Sequence, residues 1–186
     1  MNWLQGVAIW GCVAAVTVAV PALSKDANVI AIPADDDALI LPANSPLHFR
    51  SFGPENAVEF DGAIELSGTW YYGDNQFNDT GTADPTFYFV PDKASFARLP
   101  RFKTRGQPGD IYLTNGNALL DAVATRAERA EAEKKGSKYL SGKIDIWVDR
   151  FEAGIECDAP FFNARFLRVA EPPLRVARAE LPDVGC

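Results

Sequence analysis

The chain has 186 residues, with 18 Lys and Arg against 25 Asp and Glu, and its formal net charge is −7. An acidic chain repels the phosphate backbone, and no basic stripe interleaved with aromatic residues offsets this, so nucleic-acid binding is excluded as a function class. A single histidine, His48, excludes metal sites that need two or more histidine ligands. The glycine-rich patterns that cradle phosphates are absent as well. The chain beyond its N-terminal segment is long enough for one compact domain.

The first 24 residues contain no Asp, Glu, Lys or Arg, and Trp3 to Leu23 form an uncharged stretch rich in Ala and Val. Such a stretch is long enough to cross a bilayer as a helix. It predicts a hydrophobic helix in one of three roles: a secretory signal peptide cleaved near Ser24, an uncleaved membrane anchor, or a lipidation segment ending at Cys12. In each role the remainder lies outside the cytoplasm. We therefore expect a periplasmic protein of the cell envelope, either soluble after cleavage or held by a transmembrane helix.

Residues 25–56 are rich in proline, and each proline disfavours helix at the residue before it. This composition predicts an extended linker between the membrane segment and the domain. The alternative is that the short apolar pieces at 29–32 and 39–41 add edge strands or pack against the domain. The domain itself is expected over residues 57–170, and residues 171–186 are expected to form a C-terminal tail lying along it.

The first strand of the domain is marked by strict alternation from Val58 to Tyr72. Alternation of this kind predicts a strand with one buried and one solvated face. Two glycines, Gly62 and Gly68, fall on the inward face, where they permit the sharp bending that a small barrel requires. The predicted inward-facing residues are Val58, Phe60, Gly62, Ile64, Leu66, Gly68, Trp70 and Tyr72.

Five further elements follow in the chain. The patterns predict strands at 86–90 and 110–114, a helix at 117–135, and strands at 141–151 and 161–169. Asn115 or Asn117 is the expected N-cap of the helix, and Gly136 marks its end. Glu152-Ala153-Gly154 is the turn signal between the last two strands.

Three strands, a helix and two more strands are the element order of a five-stranded Greek-key barrel. By this order and by its glycine-bent first strand, the chain resembles the OB fold over residues 57–170. The fold class that we predict is mainly β with one helix in the domain, as a small OB-like five-stranded barrel. A β-sandwich with one appended helix is the alternative.

The loop at 73–85, between the first two strands, is the main candidate site. An EF-hand needs Gly at position 6 and Glu at position 12 of its loop, and a start at Asp74 places Asp79 and Pro85 there, so this motif fails. A calcium site of another kind, from Asp74, Asp79 and Asp84, and a plain hairpin tip remain as alternatives. In an OB-like barrel this loop helps to grip the ligand. The residues expected to contact a ligand or partner here are Tyr71, Asp74, Asn75, Phe77, Asn78, Asp79 and Tyr88.

A second candidate is the loop at 93–110, which gathers basic residues inside an acidic protein. Such a cluster could meet lipid headgroups or an acidic partner. The alternative is an ordinary solvated loop. Its candidate contact residues are Arg101, Lys103 and Arg105.

The cysteines point to an oxidising compartment rather than to catalysis. Cys157 and Cys186 are an even pair in the exported part, so a disulfide between them is predicted, and two free thiols are the alternative. Redox catalysis has no support because CxxC is absent.

Catalysis has little support in the sequence because no nucleophile and base can be assembled around His48. We predict a non-enzymatic envelope protein, without cofactor or metal, that binds an envelope protein or a small envelope ligand through loops 73–85 and 93–110. An accessory subunit of a membrane protein complex, in contact through residues 3–23, is the second hypothesis. An envelope hydrolase that uses the carboxylates of Glu59, Asp61 and Glu65 is the third.

Overall fold

The computed structural model describes residues 28–33, 35–74, 85–132, 139–170 and 177–179. The predicted hydrophobic helix at 3–23, Cys12, most of the loop at 73–85 and most of the C-terminal tail lie outside these residues. Within the described part of the chain, no helix combines the length and the apolar character needed to span a membrane.

Five strands close into a barrel, which confirms the predicted mainly β domain and excludes the sandwich alternative. Four pairings are antiparallel, whereas the third and fifth barrel strands, β8 (Ile111–Leu113) and β10 (Ala159–Val169), run parallel at Tyr112 and Asn163. The last strand therefore inserts between the third and the fourth. In the order in which they are bonded around the barrel, the strands are β5 (Ile64–Asp74), β6 (Pro85–Pro91), β8 (Ile111–Leu113), β10 (Ala159–Val169) and β9 (Tyr139–Glu156).

The predicted inward face of the first strand is confirmed, because its large apolar members are between 0% and 2% exposed. The predicted single strand is nevertheless divided into β4 (Val58–Asp61) and β5. The division falls at Gly62, whose φ of 108° suits glycine and whose Cα lies so close to the Pro46 carbonyl that a Cβ would be 2.5 Å from that oxygen. The bend expected at this glycine is thus a full interruption. Both parts still pair with β9.

Residues 28–52, expected to belong to an extended linker, form three strands instead: β1 (Asn28–Ala31), β2 (Ala38–Leu41) and β3 (His48–Phe52). β1 and β2 join β7 (Arg101–Phe102) in a small sheet, and β3 pairs with β4 at the end of the large sheet. Apolar side chains of this segment are part of the main core, with Leu39 in β2 0% exposed and Leu47, just before β3, 1% exposed. The prolines fall outside these strands, so they interrupt the strands without preventing the segment from packing on the core.

A short helix, α1 (Lys93–Phe96), lies along the edge of β5 where β5 extends beyond the end of β6. The Asp92 amide donates to the Ser67 carbonyl at 2.8 Å, and the Ser67 amide donates to the hydroxyl of buried Ser95 at 2.9 Å. The Arg98 guanidinium donates to the Glu65 carbonyl. These contacts satisfy backbone groups of β5 that lack a strand partner on this side.

The predicted helix at 117–135 is divided into α2 (Gly116–Val123) and α3 (Arg126–Ala132). The division is caused by a second cap: the Glu128 amide donates to the Thr125 hydroxyl at 3.3 Å, and the Thr125 amide donates to the Glu128 carboxylate at 2.7 Å. This reciprocal pair is a capping box, which begins a new helix. Asn115 is the N-cap residue of α2, as one of the two predicted alternatives had it, but its side chain makes no capping hydrogen bond. The side-chain amide instead bonds both backbone groups of Phe166, at 2.7 and 2.9 Å.

The predicted turn at residues 152–154 is also wrong, because β9 continues through it to Glu156. The chain reverses at Cys157 and Asp158, whose φ values of 48° and 65° are those of a tight hairpin turn. Gly154 serves packing instead: a Cβ there would lie 2.4 Å from the ring of Phe161 on the paired strand. Near the C-terminus, β11 (Ala177–Ala179) pairs with the start of β9.

Candidate functional site

Three tyrosines on adjacent barrel strands project from the outer face of the barrel. Each lies between two buried neighbours. These are Trp70 and Tyr72 for Tyr71, Phe87 and Phe89 for Tyr88, and Ile111 and Leu113 for Tyr112. Because side chains alternate along a strand, burial of the neighbours turns each tyrosine outwards. Tyr71 and Tyr88 are half-buried, and Tyr112 is 41% exposed.

The strand register places these three side chains in one row. Tyr71 is directly opposite Tyr88, and Tyr88 is directly opposite Tyr112. The rings of Tyr88 and Tyr112 meet edge to face, with centroids 6.3 Å apart and an interplanar angle of 64°. Side chains at directly opposed positions have Cβ atoms about 5 Å apart, so the row forms one continuous aromatic surface across three strands. We call Tyr71, Tyr88 and Tyr112 the tyrosine row.

Polar groups continue the line of the tyrosine row at both ends. Beyond Tyr112, the parallel pairing brings Asn163, whose side-chain amide donates to the Glu152 carboxylate at 3.1 Å. Beyond Tyr71, the register brings Ser141 of β9, which is 3% exposed and so does not offer its hydroxyl group to a ligand. The site therefore combines the rings and hydroxyl groups of the tyrosines with amide and carboxylate groups at the Tyr112 end, which suits a ligand that has both apolar faces and many hydroxyl groups.

The row lies close to the loop that the sequence singled out. The last pair of the β5–β6 hairpin is Asp74 with Pro85, three pairs beyond Tyr71 with Tyr88. At about 3.3 Å for each residue, the loop begins about 10 Å from the row. Asp74 ends β5, and the candidate residues Asn75, Phe77, Asn78 and Asp79 lie outside the described residues, so their roles stay predictions. The structure places Tyr71 and Tyr88 side by side and adds Tyr112, which the sequence analysis missed.

The basic loop at 93–110 makes contacts within the chain. Arg105 donates to the Asp35 carboxylate at 2.8 Å, which holds the pKa of Asp35 below its usual range. Arg101 lies in β7, opposite Ile40, and the Lys103 amide donates to the Ala38 carbonyl at 2.8 Å. This loop therefore attaches the small N-terminal sheet to the barrel. The exposed side chain of Lys103 still faces solvent.

A buried carboxylate, Asp37, sits at the centre of that attachment. Its Oδ1 accepts from the amides of Ala38 at 2.8 Å and Thr104 at 3.0 Å, and its Oδ2 is 3.6 Å from Arg105. Burial raises the pKa of Asp37, but hydrogen bonds from Thr104 and Ala38 outweigh it and leave the pKa below the usual value. Burial also raises the pKa of Asp110, where a hydrogen bond from its own backbone amide opposes the effect without outweighing it. Asp37 thus has a structural role.

The carboxylates considered for hydrolysis lie on the solvated side of the sheet. Glu59 accepts from the Ser51 hydroxyl at 2.7 Å and is 4.0 Å from Arg50, and the side chain of Asp61 is 69% exposed. In the described ranges, no group of three or more His, Cys, Asp or Glu side chains is arranged to hold a metal ion. The candidate calcium ligands Asp79 and Asp84 are outside those ranges.

Cys157 is free and exposed at the β9–β10 turn, and the described residues contain no disulfide. Its predicted partner, Cys186, lies outside them, so the predicted bridge stays a prediction. No known protein family, curated protein or solved structure matches this chain.

Proposed function

We propose that this protein is a non-enzymatic binding module of the cell envelope, built on an OB-type barrel, and that it holds an oligosaccharide on the tyrosine row. The barrel type is supported by the strand order. The fifth strand inserts between the third and the fourth, α2 and α3 lie between the third and the fourth, and the chain is interrupted at Gly62 just before the first barrel strand. OB folds bind oligonucleotides and oligosaccharides on the face of strands two and three.

The observation that carries the proposal is the alignment of Tyr71, Tyr88 and Tyr112 on the first three barrel strands. Two of these residues lie on the strand pair that forms the ligand face of OB folds. Tyrosine offers a flat apolar ring for the faces of a sugar and a hydroxyl group for hydrogen bonding. The acidic charge of the chain disfavours a polyanionic ligand, so a saccharide suits the row better than a nucleic acid does.

The envelope location rests on the uncharged stretch from Trp3 to Leu23. Outside the cytoplasm, envelope polysaccharides are the polyhydroxylated polymers that such a row would meet. Loop 73–85 joins the first two barrel strands and begins about 10 Å from the row, and its sequence is rich in amide and carboxylate residues. Binding to an envelope protein through the same row is the outcome that the experiment must separate from saccharide binding.

The test is binding of the purified full chain to isolated peptidoglycan by co-sedimentation, and to soluble N-acetylglucosamine and glucose tetrasaccharides by calorimetry. Tyr88→Ala and Tyr112→Ala should each weaken binding about tenfold, because truncating a central aromatic contact usually costs more than 1 kcal/mol. Leu167→Ala is the matched control, since Leu167 is 42% exposed against 41% for Tyr112 and lies on another strand. Absence of saccharide binding, or equal losses in Tyr112→Ala and Leu167→Ala, would refute the proposal.

A further inference from the structure

The strand β3 ends the large sheet, and its outer edge is open in the part of the chain that the structure describes. Its pairing there is with β4 alone. The register shifts between Phe49 and Ser51, so Arg50 is the extra residue of a β-bulge. Open edges present unpaired N–H and C=O groups, which are a template for another strand.

Two phenylalanines on β3 extend the core-facing side of the sheet into solvent. Phe49 is opposite Phe60 and Phe52 is opposite Val58, and those partners are 1% and 0% exposed. Directly opposed residues share one face of the sheet, so Phe49 and Phe52 lie on the face that carries the core. They are nevertheless 45% and 41% exposed, and their ring centroids are 5.1 Å apart. This pair is an apolar surface that continues the core past its last covered strand.

The backbone of the same two residues points to the open edge. The Gly53 amide donates to the Ala57 carbonyl at 2.7 Å, so Gly53 is directed at the β4 side. Alternation then directs the N–H and C=O of Phe52 away from β4. Phe49 shares the face of Phe52 because of the bulge, so its backbone groups have the same direction. Exposed rings and free backbone groups therefore occur together at residues 49 and 52.

We propose that the open edge of β3 pairs with β3 of a second copy of this chain, antiparallel, with Phe49 of each copy opposite Phe52 of the other. This register is symmetric about a two-fold axis between Arg50 and Ser51. It joins four phenylalanine rings across the axis, and cross-strand aromatic pairs are among the stabilising pairs of antiparallel sheets. It also pairs all four outward backbone groups of residues 49 and 52.

The charges on the opposite face fit the same register. Arg50 of one copy lies opposite Ser51 of the other, and the Ser51 hydroxyl donates to Glu59 at 2.7 Å. Each Arg50 thereby meets the Glu59 carboxylate of the second copy. The side chain of Arg50 is 56% exposed, and its Nε is 4.0 and 3.9 Å from Glu59 and Asp61 of its own chain, so it retains donors for this contact. The edge of β3 is therefore complementary to itself in its aromatic rings, its backbone groups and its charges. A second copy of the chain is the partner that fits all three.

The experiment is sedimentation equilibrium of the full chain in a density-matched nonionic detergent. The wild-type chain should associate reversibly into a dimer, and the double variant Phe49→Ala/Phe52→Ala should lose the dimer while Leu167→Ala keeps it. Because both phenylalanines are partly exposed, the double variant should retain its circular dichroism spectrum. A wild-type monomer at every concentration, or a dimer unaffected by the double variant, would overturn the proposal; the second result would place self-association elsewhere, such as in residues 3–23.

A charge exchange tests the register itself. Arg50→Glu and Glu59→Arg should each weaken the homodimer about tenfold, because two cross-strand charge contacts become repulsive in each dimer. An equal mixture of the two variants should form a heterodimer, since both contacts are then between opposite charges. The repulsion within each variant chain is the same in monomer and dimer, so it does not affect this comparison. A mixture that associates no better than the separate variants contradicts the register.

Discussion

The substitution Leu39→Ala tests whether the segment before the barrel belongs to the folded domain. Leu39 is 0% exposed in β2, with Ile30 opposite on one side and Phe102 on the other. Removing three carbon atoms at about 0.8 kcal/mol each costs about 2.4 kcal/mol of transfer free energy. The cavity that remains in a closed site raises the total to about 3–5 kcal/mol. Since domains of this size unfold with about 5–15 kcal/mol, this is a large part of the stability.

The assay is urea unfolding followed by tryptophan fluorescence. The midpoint for Leu39→Ala should fall by more than 1 M if m is about 2 kcal/mol/M, with the slope unchanged. Val29→Ala is the matched control in the same sheet, because Val29 is 62% exposed and its truncation should change stability by less than about 0.5 kcal/mol. Equal and small effects of the two substitutions would refute our reasoning, because a linker would tolerate both.

Two carboxyl groups give predictions of opposite sign. The pKa of Asp37 is lowered, so its contribution to stability is present above its unfolded pKa of about 3.9 and is lost as pH falls through the folded value. Thermal melts should therefore show a smaller loss of Tm on acidification for Asp37→Asn than for the wild-type chain, and parallel curves would contradict the structural role of Asp37. Burial raises the pKa of Asp110, so its contribution is lost as pH rises. Asp110→Asn should accordingly raise Tm at pH 7.5 and leave it nearly unchanged at pH 3.5, whereas a lower Tm at both values would show that the carboxylate is needed.

Local patterns predicted the barrel strands and their faces because alternation depends only on neighbouring residues. Trp70 and Tyr72 were predicted to be buried by this pattern, and they are 0% and 2% exposed. The break between α2 and α3 was also encoded locally, since Thr125 and Glu128 have the spacing of a capping box. That signal was missed because an apolar helical pattern continues across it.

Other features depend on contacts between distant parts of the chain. Gly154 resembles a turn glycine in sequence, but its role is to admit the ring of Phe161. The strand β2 pairs with β1 on one side and finds its second partner in β7, about 60 residues further along the chain, so the composition of this segment alone suggested a linker. Tyr112 acquires its place in the candidate site only through its register with Tyr88. Such registers are not visible in a single sequence without the fold.

The most direct test of the central claim is a titration of the isotope-labelled full chain, in detergent micelles, with the N-acetylglucosamine tetrasaccharide, followed by NMR of the aromatic rings and backbone amides. Binding on the tyrosine row predicts that the ring signals of Tyr88 and Tyr112 and the amide of Asn163 shift most. The signals of Phe49 and Phe52 on β3 should stay in place. Shifts centred on another part of the barrel, or no shifts at millimolar saccharide, would contradict the assignment of the tyrosine row as the binding site.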